Sequence, residues 1–247
     1  MIRYQKKLFL FNVWESWFAY KHSFWNLVSL NVCMHIKDGK NKKIPGVRNI
    51  THTLEMDLQQ DVETIFANFS KQIRQQVRIA ENEGTTCYFH QQTEKFADFF
   101  NEFALKRDTF TTSKEKLLAM GDSVKLSFAE HNGHILAAHS YLVDEEMGIV
   151  RHLHSATKRL DENYDRNLIG RANKYLTVKD ILHFKNLGFK TFDFGGYAKD
   201  TVDEGLTGIN NYKLMFGGKV VPCINYYSYN YWFLRKLSKL LGLSGKL

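Results

Sequence analysis

Val62, Ile65, Phe66, Phe69, Ile73, Val77 and Ala80 recur at steps of three and four. That spacing marks one face of an amphipathic helix, and Gly84 stops it. A strand follows from Thr85 to His90, and Phe96, Phe99, Phe100 and Phe103 return to helical spacing. A short helix is expected from Ser113 to Met120, before Gly121. Three runs then read as strands: Val124 to Glu130, His134 to Val143 and Gly148 to Ala156. His131-Asn132-Gly133 and Asp144-Glu145-Glu146 turn the chain between them, which predicts an antiparallel meander. Leu168, Ala172, Tyr175, Val178 and Leu182 predict a long helix ending near Gly188. Lys190 to Phe194 reads as a strand running into Gly195-Gly196, Asn210 to Phe216 as a short helix, and Val220 to Tyr229 as a last strand. Upstream, Leu27 to Met34 and Thr53 to Leu58 read as strands, with a turn at Asp38-Gly39-Lys40-Asn41.

This order of elements predicts an α+β (α/β-like) fold: a mixed, mostly antiparallel sheet flanked by helices, with one internal crossover. No repeat of 20–50 residues is present, which excludes a solenoid. Residues 1–57 form an N-terminal strand-rich segment, 58–228 the main domain and 229–247 a basic amphipathic C-terminal tail.

Composition narrows the class. The chain has 247 residues, 44% of them apolar and 24% charged, which excludes a disordered chain. Only Pro45 and Pro222 are proline, so there is no proline-rich linker. Lys and Arg number 34 against 26 Asp and Glu, a net charge of +8 that suits anionic partners. Cys33, Cys87 and Cys223 are odd in number and far apart, which fits a reducing setting. The basic, apolar start around Leu8-Phe9-Leu10-Phe11 is interrupted by Asn12 and Glu15, and no small-residue cleavage site follows. No uncharged apolar stretch is long enough to span a bilayer. The expected location is cytoplasmic, or peripheral at the inner face of the membrane.

Standard catalytic signatures such as GxxxxGK[ST], GxSxG, HExxH and GxGxxG are absent. His131/His134 and His152/His154 read as structural or solvated, so no metal is expected. Three segments stand out. Around Arg166, Ile169, Gly170, Arg171 and Ala172 a strand passes into the long helix. The free N–H groups and positive dipole end of a helix start suit a phosphate; a glycine tolerated for close packing is the alternative. In Phe192-Asp193-Phe194-Gly195-Gly196-Tyr197, Asp193 ends a strand beside two glycines, as a ligand group or as a capping residue. In Gly208 to Gly218, Lys213 sits in an otherwise apolar turn, facing either an anionic partner or solvent.

Ile169-Gly170-Arg171-Ala172-Asn173, Phe192-Asp193-Phe194-Gly195-Gly196 and Tyr212-Lys213 before Phe216-Gly217-Gly218 together resemble the FemAB-like branch of the GNAT acyltransferase superfamily. The basic helix Lys71 to Arg78, followed by Ala80-Glu81-Asn82-Glu83-Gly84, resembles that branch as well. The resemblance spans about residues 70–228. It implies acyl transfer, with acyl-CoA or acetyl-CoA held between two splayed central strands and its pyrophosphate at Ile169 to Ala172 with Arg166. The loop here, Arg166 to Ala172, is one residue longer before its glycine than the common GNAT pattern. Fem-like peptidyltransferases take their acyl group from aminoacyl-tRNA and usually carry two GNAT-like domains, so residues 1–57 would be a partial second lobe.

Acyl transfer to an amine needs a neutral amine and a polarised carbonyl. His152 is a candidate base, and with strand period two His154 falls on the same face, as a candidate substrate contact. Asp193 is a competing base or amine ligand, Tyr197 a candidate acid, and Lys213 a phosphate holder or carbonyl polariser. Lys71, Arg74 and Arg78 form one basic stripe, to meet a phosphorylated acceptor or tRNA or to face solvent. The basic stretch from Trp232 to Leu241 is suited to an anionic membrane surface or to packing on the domain. The leading expectation is therefore an N-acyltransferase acting on the amino group of a phosphate-bearing sugar or cell-envelope precursor. The alternatives are an aminoacyl-tRNA-dependent peptidyltransferase on a peptidoglycan precursor and a non-catalytic GNAT-like binding module.

Overall fold

The computed structural model describes residues 2–8, 11–19, 29–37 and 45–240. In chain order they form β1 (Ile2–Leu8), β2 (Phe11–Trp17), β3 (Asn31–Ile36), β4 (Val47–Asp57), α1 (Val62–Asn68), α2 (Lys71–Asn82), β5 (Thr86–Phe89), α3 (Thr93–Lys106), α4 (Lys114–Ala119), β6 (Val124–His131), β7 (His134–Asp144), β8 (Ile149–Thr157), α5 (Arg166–Asn186), β9 (Thr191–Tyr197), α6 (Glu204–Leu214), β10 (Lys219–Tyr227) and α7 (Tyr229–Leu240). The turn expected at Asp38 to Asn41, the start of the strand expected from Leu27, and the chain beyond Leu240 lie outside the described residues.

The chain divides into two compact units, one of residues 1–52 with 222–247 and one of residues 53–221. In the first, β1 runs antiparallel to β2, β2 parallel to β3, and β10 antiparallel to β3. Val13, Val32 and Tyr231 form one small core there, and Cys33, Ile36 and Tyr226 another. Ser228 separates β10 from α7: its hydroxyl accepts the Tyr231 N–H at 3.3 Å. The strand expected to run on to Tyr229 therefore stops at Tyr227, and Tyr229 begins a helix.

The second unit holds the strand order β4-β9-β8-β7-β6-β5. Strands β6 to β8 form the expected antiparallel meander, β5 pairs antiparallel with β6, and β8 pairs β9 in parallel. The connection between these last two is α5, as a parallel crossover requires. Helix α5 carries Ile169, Ala172, Leu176 and Phe184 into the core. It ends as expected: Gly188, at φ +84, lets Phe189 N–H return to Phe184 O at 3.1 Å.

The run from Val62 to Ala80 makes two helices, not the one its spacing predicts. Phe69 leaves the helix at ψ 140, and the Ser70 hydroxyl accepts the Ile73 N–H at 3.3 Å to start α2. Phe69 and Ile73 are both buried, so the apolar spacing passes through the break without recording it. The helix expected from Asn210 begins earlier, at Glu204, because Asp203 caps it by accepting the Leu206 N–H at 2.8 Å.

Candidate active site

Strands β8 and β9 pair at Ile149–Thr191, Val150–Phe192 and Arg151–Asp193, and beyond those pairs they part from each other, β8 staying paired with β7. The sheet is thus open at the carboxyl ends of two adjacent parallel strands, the splay that the GNAT resemblance implies. Asp193 closes the paired part. It is buried, accepts from Arg151 Nη1 at 2.7 Å and from the Gly195 N–H at 2.8 Å, and receives the Thr53 hydroxyl. A carboxylate so engaged positions Arg151 and the β9 end. It is not offered as the solvent-reaching base or amine ligand that its place beside two glycines suggests.

Gly195, at φ +83, lets β9 bend against β8. A Cβ there would come within 3.1 Å of the His152 carbonyl and 3.8 Å of Lys213 Nζ. Lys213 reaches back from α6 and donates to the Gly196 carbonyl at 2.5 Å. Burial, and then the Arg151 charge, push its ammonium down to about 8, against the opposing pull of Asp193. Helix α6 is held at the end of β9 by Asn210, whose amide accepts the Ala198 N–H at 3.1 Å and donates to its carbonyl at 2.8 Å. Tyr197 lies half-buried at the last residue of β9.

His152 and His154 do not share a face. Tyr141 pairs with His152 and Ser140 with His154, so Leu153 is an extra residue in β8. A bulge of this kind breaks the two-residue alternation. The His152 ring stacks on Tyr141 at 4.9 Å and lies 4.5 Å from the His139 ring. His154 Nδ1 meets the Ser140 hydroxyl at 2.7 Å, and its ring packs on Phe100 at 4.7 Å. Burial, then the Lys116 charge, holds His154 at about 3. It is a neutral residue of an aromatic core, not a substrate ligand. His152 is held well below the ordinary imidazole value by burial, then by His139 and Lys213, and its Nε2 is shielded with no hydrogen-bond partner.

Behind His152 lies a polar network that the sequence pattern does not single out. Asp180 Oδ2 receives the Tyr141 hydroxyl at 2.6 Å, His139 Nδ1 at 2.9 Å and the Ser127 hydroxyl at 3.0 Å. His139 Nε2 meets Asn173 Oδ1 at 2.8 Å, and Asn173 Nδ2 donates to the Tyr212 hydroxyl at 2.8 Å. One signal was readable: Asp180 falls four residues from both Leu176 and Phe184, on the buried stripe of α5. A carboxylate there needs partners.

The other predicted residues are engaged in contacts of their own or lie exposed. Arg166 is exposed at the first position of α5, and Ile169 and Ala172 point into the core. At Gly170 a Cβ would meet only Lys174 Nζ, at 3.9 Å, so packing does not demand the glycine. Arg171 is bidentate to Glu83, at 2.8 and 2.7 Å. Asp165 already accepts the Asn167 and Leu168 N–H groups, at 2.9 and 3.3 Å. On α2, Arg78 is exposed, but Arg74 donates to the Ala67 carbonyl at 3.1 Å and to that of Phe69, closing the end of α1. It is not part of a free basic stripe. Among the described residues no group of three His, Cys, Asp or Glu is placed to hold a metal, and no helix is long and apolar enough to cross a membrane.

No family model matches the sequence, and no curated protein matches it. Solved structures do. FemX superposes with a TM-score of 0.63 at 11% identity, over 94% of this chain and 85% of that one. L-PGS from Bacillus licheniformis gives 0.61 at 10%, over 98% and 85%. The C-terminal DUF2156 domain of an Agrobacterium fabrum protein named for lysylphosphatidylglycerol synthesis gives 0.61 at 13%, over 95% and 83%. At such identities the likeness is one of fold, shared with FemX and the two L-PGS-type structures.

Proposed function

We propose that the protein transfers an acyl group to an amino group at the parting of β8 and β9, and that the donor is an aminoacyl ester of tRNA. The observation carrying acyl transfer is Lys213: a half-buried ammonium held at the splay by a glycine carbonyl, beside His152. A tetrahedral intermediate of acyl transfer develops negative charge on the former carbonyl oxygen, and a desolvated cation at that point stabilises it. With its value near 8, most of Lys213 stays charged at pH 7. His152, kept neutral, presents Nε2 as an acceptor that orients the attacking amine by one of its N–H groups. Tyr197, the last residue of β9, is assigned to give its proton to the departing tRNA hydroxyl as the ester C–O bond breaks, and to regain one from the amine that has formed the new C–N bond.

The start of α5 favours the donor. The resemblance reserves these N–H groups for the pyrophosphate of CoA, yet the Asp165 carboxylate occupies two of them and Arg171 is committed to Glu83. An anion placed there would face a carboxylate. The Fem-like peptidyltransferases within that resemblance take their acyl group from aminoacyl-tRNA, and the net charge of +8 supports such a donor here. The acceptor is read as an amine on a phosphate-bearing, cell-envelope precursor.

Calorimetric titration with CoA and acetyl-CoA, run beside a binding and transfer assay with charged tRNA, tests this. Salt-sensitive binding of charged tRNA and transfer lost in Lys213→Met, with no heat from CoA, is the expected result. Saturable CoA binding that a Gly170→Trp substitution abolishes would instead make acyl-CoA the donor. A folded protein that binds neither would leave a non-catalytic GNAT-like module.

A further inference from the structure

Helix α7 presents a second apolar face that nothing in its own unit covers. Tyr231 and Leu234 pack inward, Tyr231 beside Val13 and Val32. On the other side Tyr229, Phe233, Leu237 and Leu240 are 57, 65, 41 and 84% exposed. They fall at steps of four, four and three, which aligns them in one stripe along the helix. Leaving four large apolar side chains in water is unfavourable, so a continuous exposed stripe marks a contact surface.

Charge says what it contacts. From Gly205 to Leu247 the sequence has no Asp or Glu and six Lys or Arg. Within the helix, Lys236 Nζ lies 4.1 Å from the Trp232 ring and the Arg235 guanidinium 5.6 Å from the Tyr227 ring. Both cations are exposed, and among the described residues no carboxylate pairs with either. An aliphatic and aromatic stripe bordered by Trp and by unopposed cations fits the headgroup boundary of an anionic bilayer. A second copy of the chain would bring the same cations against each other, so self-association fits this face less well.

We propose that α7 docks the protein on an anionic lipid bilayer, with Phe233, Leu237 and Leu240 entering the headgroup boundary and Arg235 and Lys236 meeting lipid phosphates. The proposal does not depend on the acyl-transfer reading.

The test is co-sedimentation of the full chain with vesicles of phosphatidylcholine alone or with about 30% phosphatidylglycerol. Two double variants accompany it, Phe233→Ser with Leu237→Ser, and Arg235→Glu with Lys236→Glu, each checked by circular dichroism and thermal melting. All four positions are exposed, and the charge variant carries the test if the apolar one fails to fold. The expected result is salt-sensitive partition onto the anionic vesicles, at least about tenfold stronger than onto neutral ones and weakened about tenfold or more in either variant. No partition of the wild-type chain, or partition that neither variant weakens, overturns the proposal. So does a wild-type dimer that the Phe233 and Leu237 changes convert to monomer, because a second copy would then be the occupant.

Discussion

His152 and His154, two residues apart on β8, face opposite sides of the sheet: one stacks on Tyr141 and the other bonds Ser140. The extra residue Leu153 makes the difference. It turns one histidine toward α5 and its polar network and the other into the aromatic side chains of α3, so the pair divides into a residue beside the Asp180 network and a residue of the aromatic core.

The core residue makes stability depend on pH. The folded His154 ring takes up a proton only near 3, while its ordinary value, regained on unfolding, is 6.5. Between those values the unfolded chain binds more protons, so stability rises with pH through that window and is fully present above it. One such group contributes a slope of up to about 1.4 kcal/mol per pH unit. His152 is shifted in the same direction and adds to it. Urea midpoints measured from about pH 4.5 to 7.5 are expected to climb, and His154→Phe to flatten the climb by about one proton. An unchanged slope in that variant would show that His154 titrates normally in the folded protein.

The network around Asp180 sets a second expectation. Asp180 is fully buried, and one of its oxygens gathers three donors. Tyr141→Phe removes a single charge-assisted hydrogen bond and is expected to lower stability by about 1.5–3 kcal/mol. His139→Leu removes a ring partner of both Asp180 and Asn173 and is expected to cost at least as much. Chemical denaturation of both variants reads the order. Equal and negligible losses would mean that these contacts to Asp180 do not stabilise the folded state.

Arg74 and Arg78 lie on one helix and are expected to behave differently. Arg74 satisfies terminal carbonyls of α1, so Arg74→Gln should lower stability by about 1 kcal/mol. Its effect on tRNA binding should be small. Arg78 is exposed, so Arg78→Gln should leave stability unchanged and, if α2 meets the RNA backbone, reduce the slope of log affinity against log salt by about one unit. Weaker tRNA binding by Arg74→Gln at unchanged stability would place Arg74 on the ligand surface instead.

What the sequence discloses follows from how local each cause is. The meander from β6 to β8 and the Gly188 stop of α5 depend on alternation and on turn residues within a few positions, and both are visible in the chain. The break at Ser70 is hidden because Phe69 and Ile73 keep helical spacing across it. The bulge at Leu153 is hidden because β8 alone reads as regular alternation; only its register against Ser140 and Tyr141 exposes the extra residue. Asp193, Arg171 and Arg74 could be noticed as charges at suggestive places. Their partners Arg151, Glu83 and the α1 carbonyls are chosen by tertiary structure, and those partners decide which charges remain available to a ligand. Lys213 is the converse case, since its isolation in an apolar turn already marked it.

The charge on Lys213 gives the sharpest kinetic expectation. If the ammonium stabilises the developing oxyanion, transfer falls as pH rises through about 8, where the group loses its proton. Lys213→Met should lower kcat by about 100-fold or more at every pH, the usual scale for removing one such contact. Lys213→Arg keeps a positive charge to far higher pH, so it should retain part of the rate and abolish the alkaline limb. Asp193 raises the Lys213 value, so Asp193→Asn should move that limb to lower pH, the opposite of what a catalytic base at 193 would produce. Single-turnover transfer rates from about pH 6 to 9.5 separate these outcomes. An alkaline limb near 8 that persists in Lys213→Arg would assign the titration to another group, the acceptor amine first, and remove Lys213 from the chemical step.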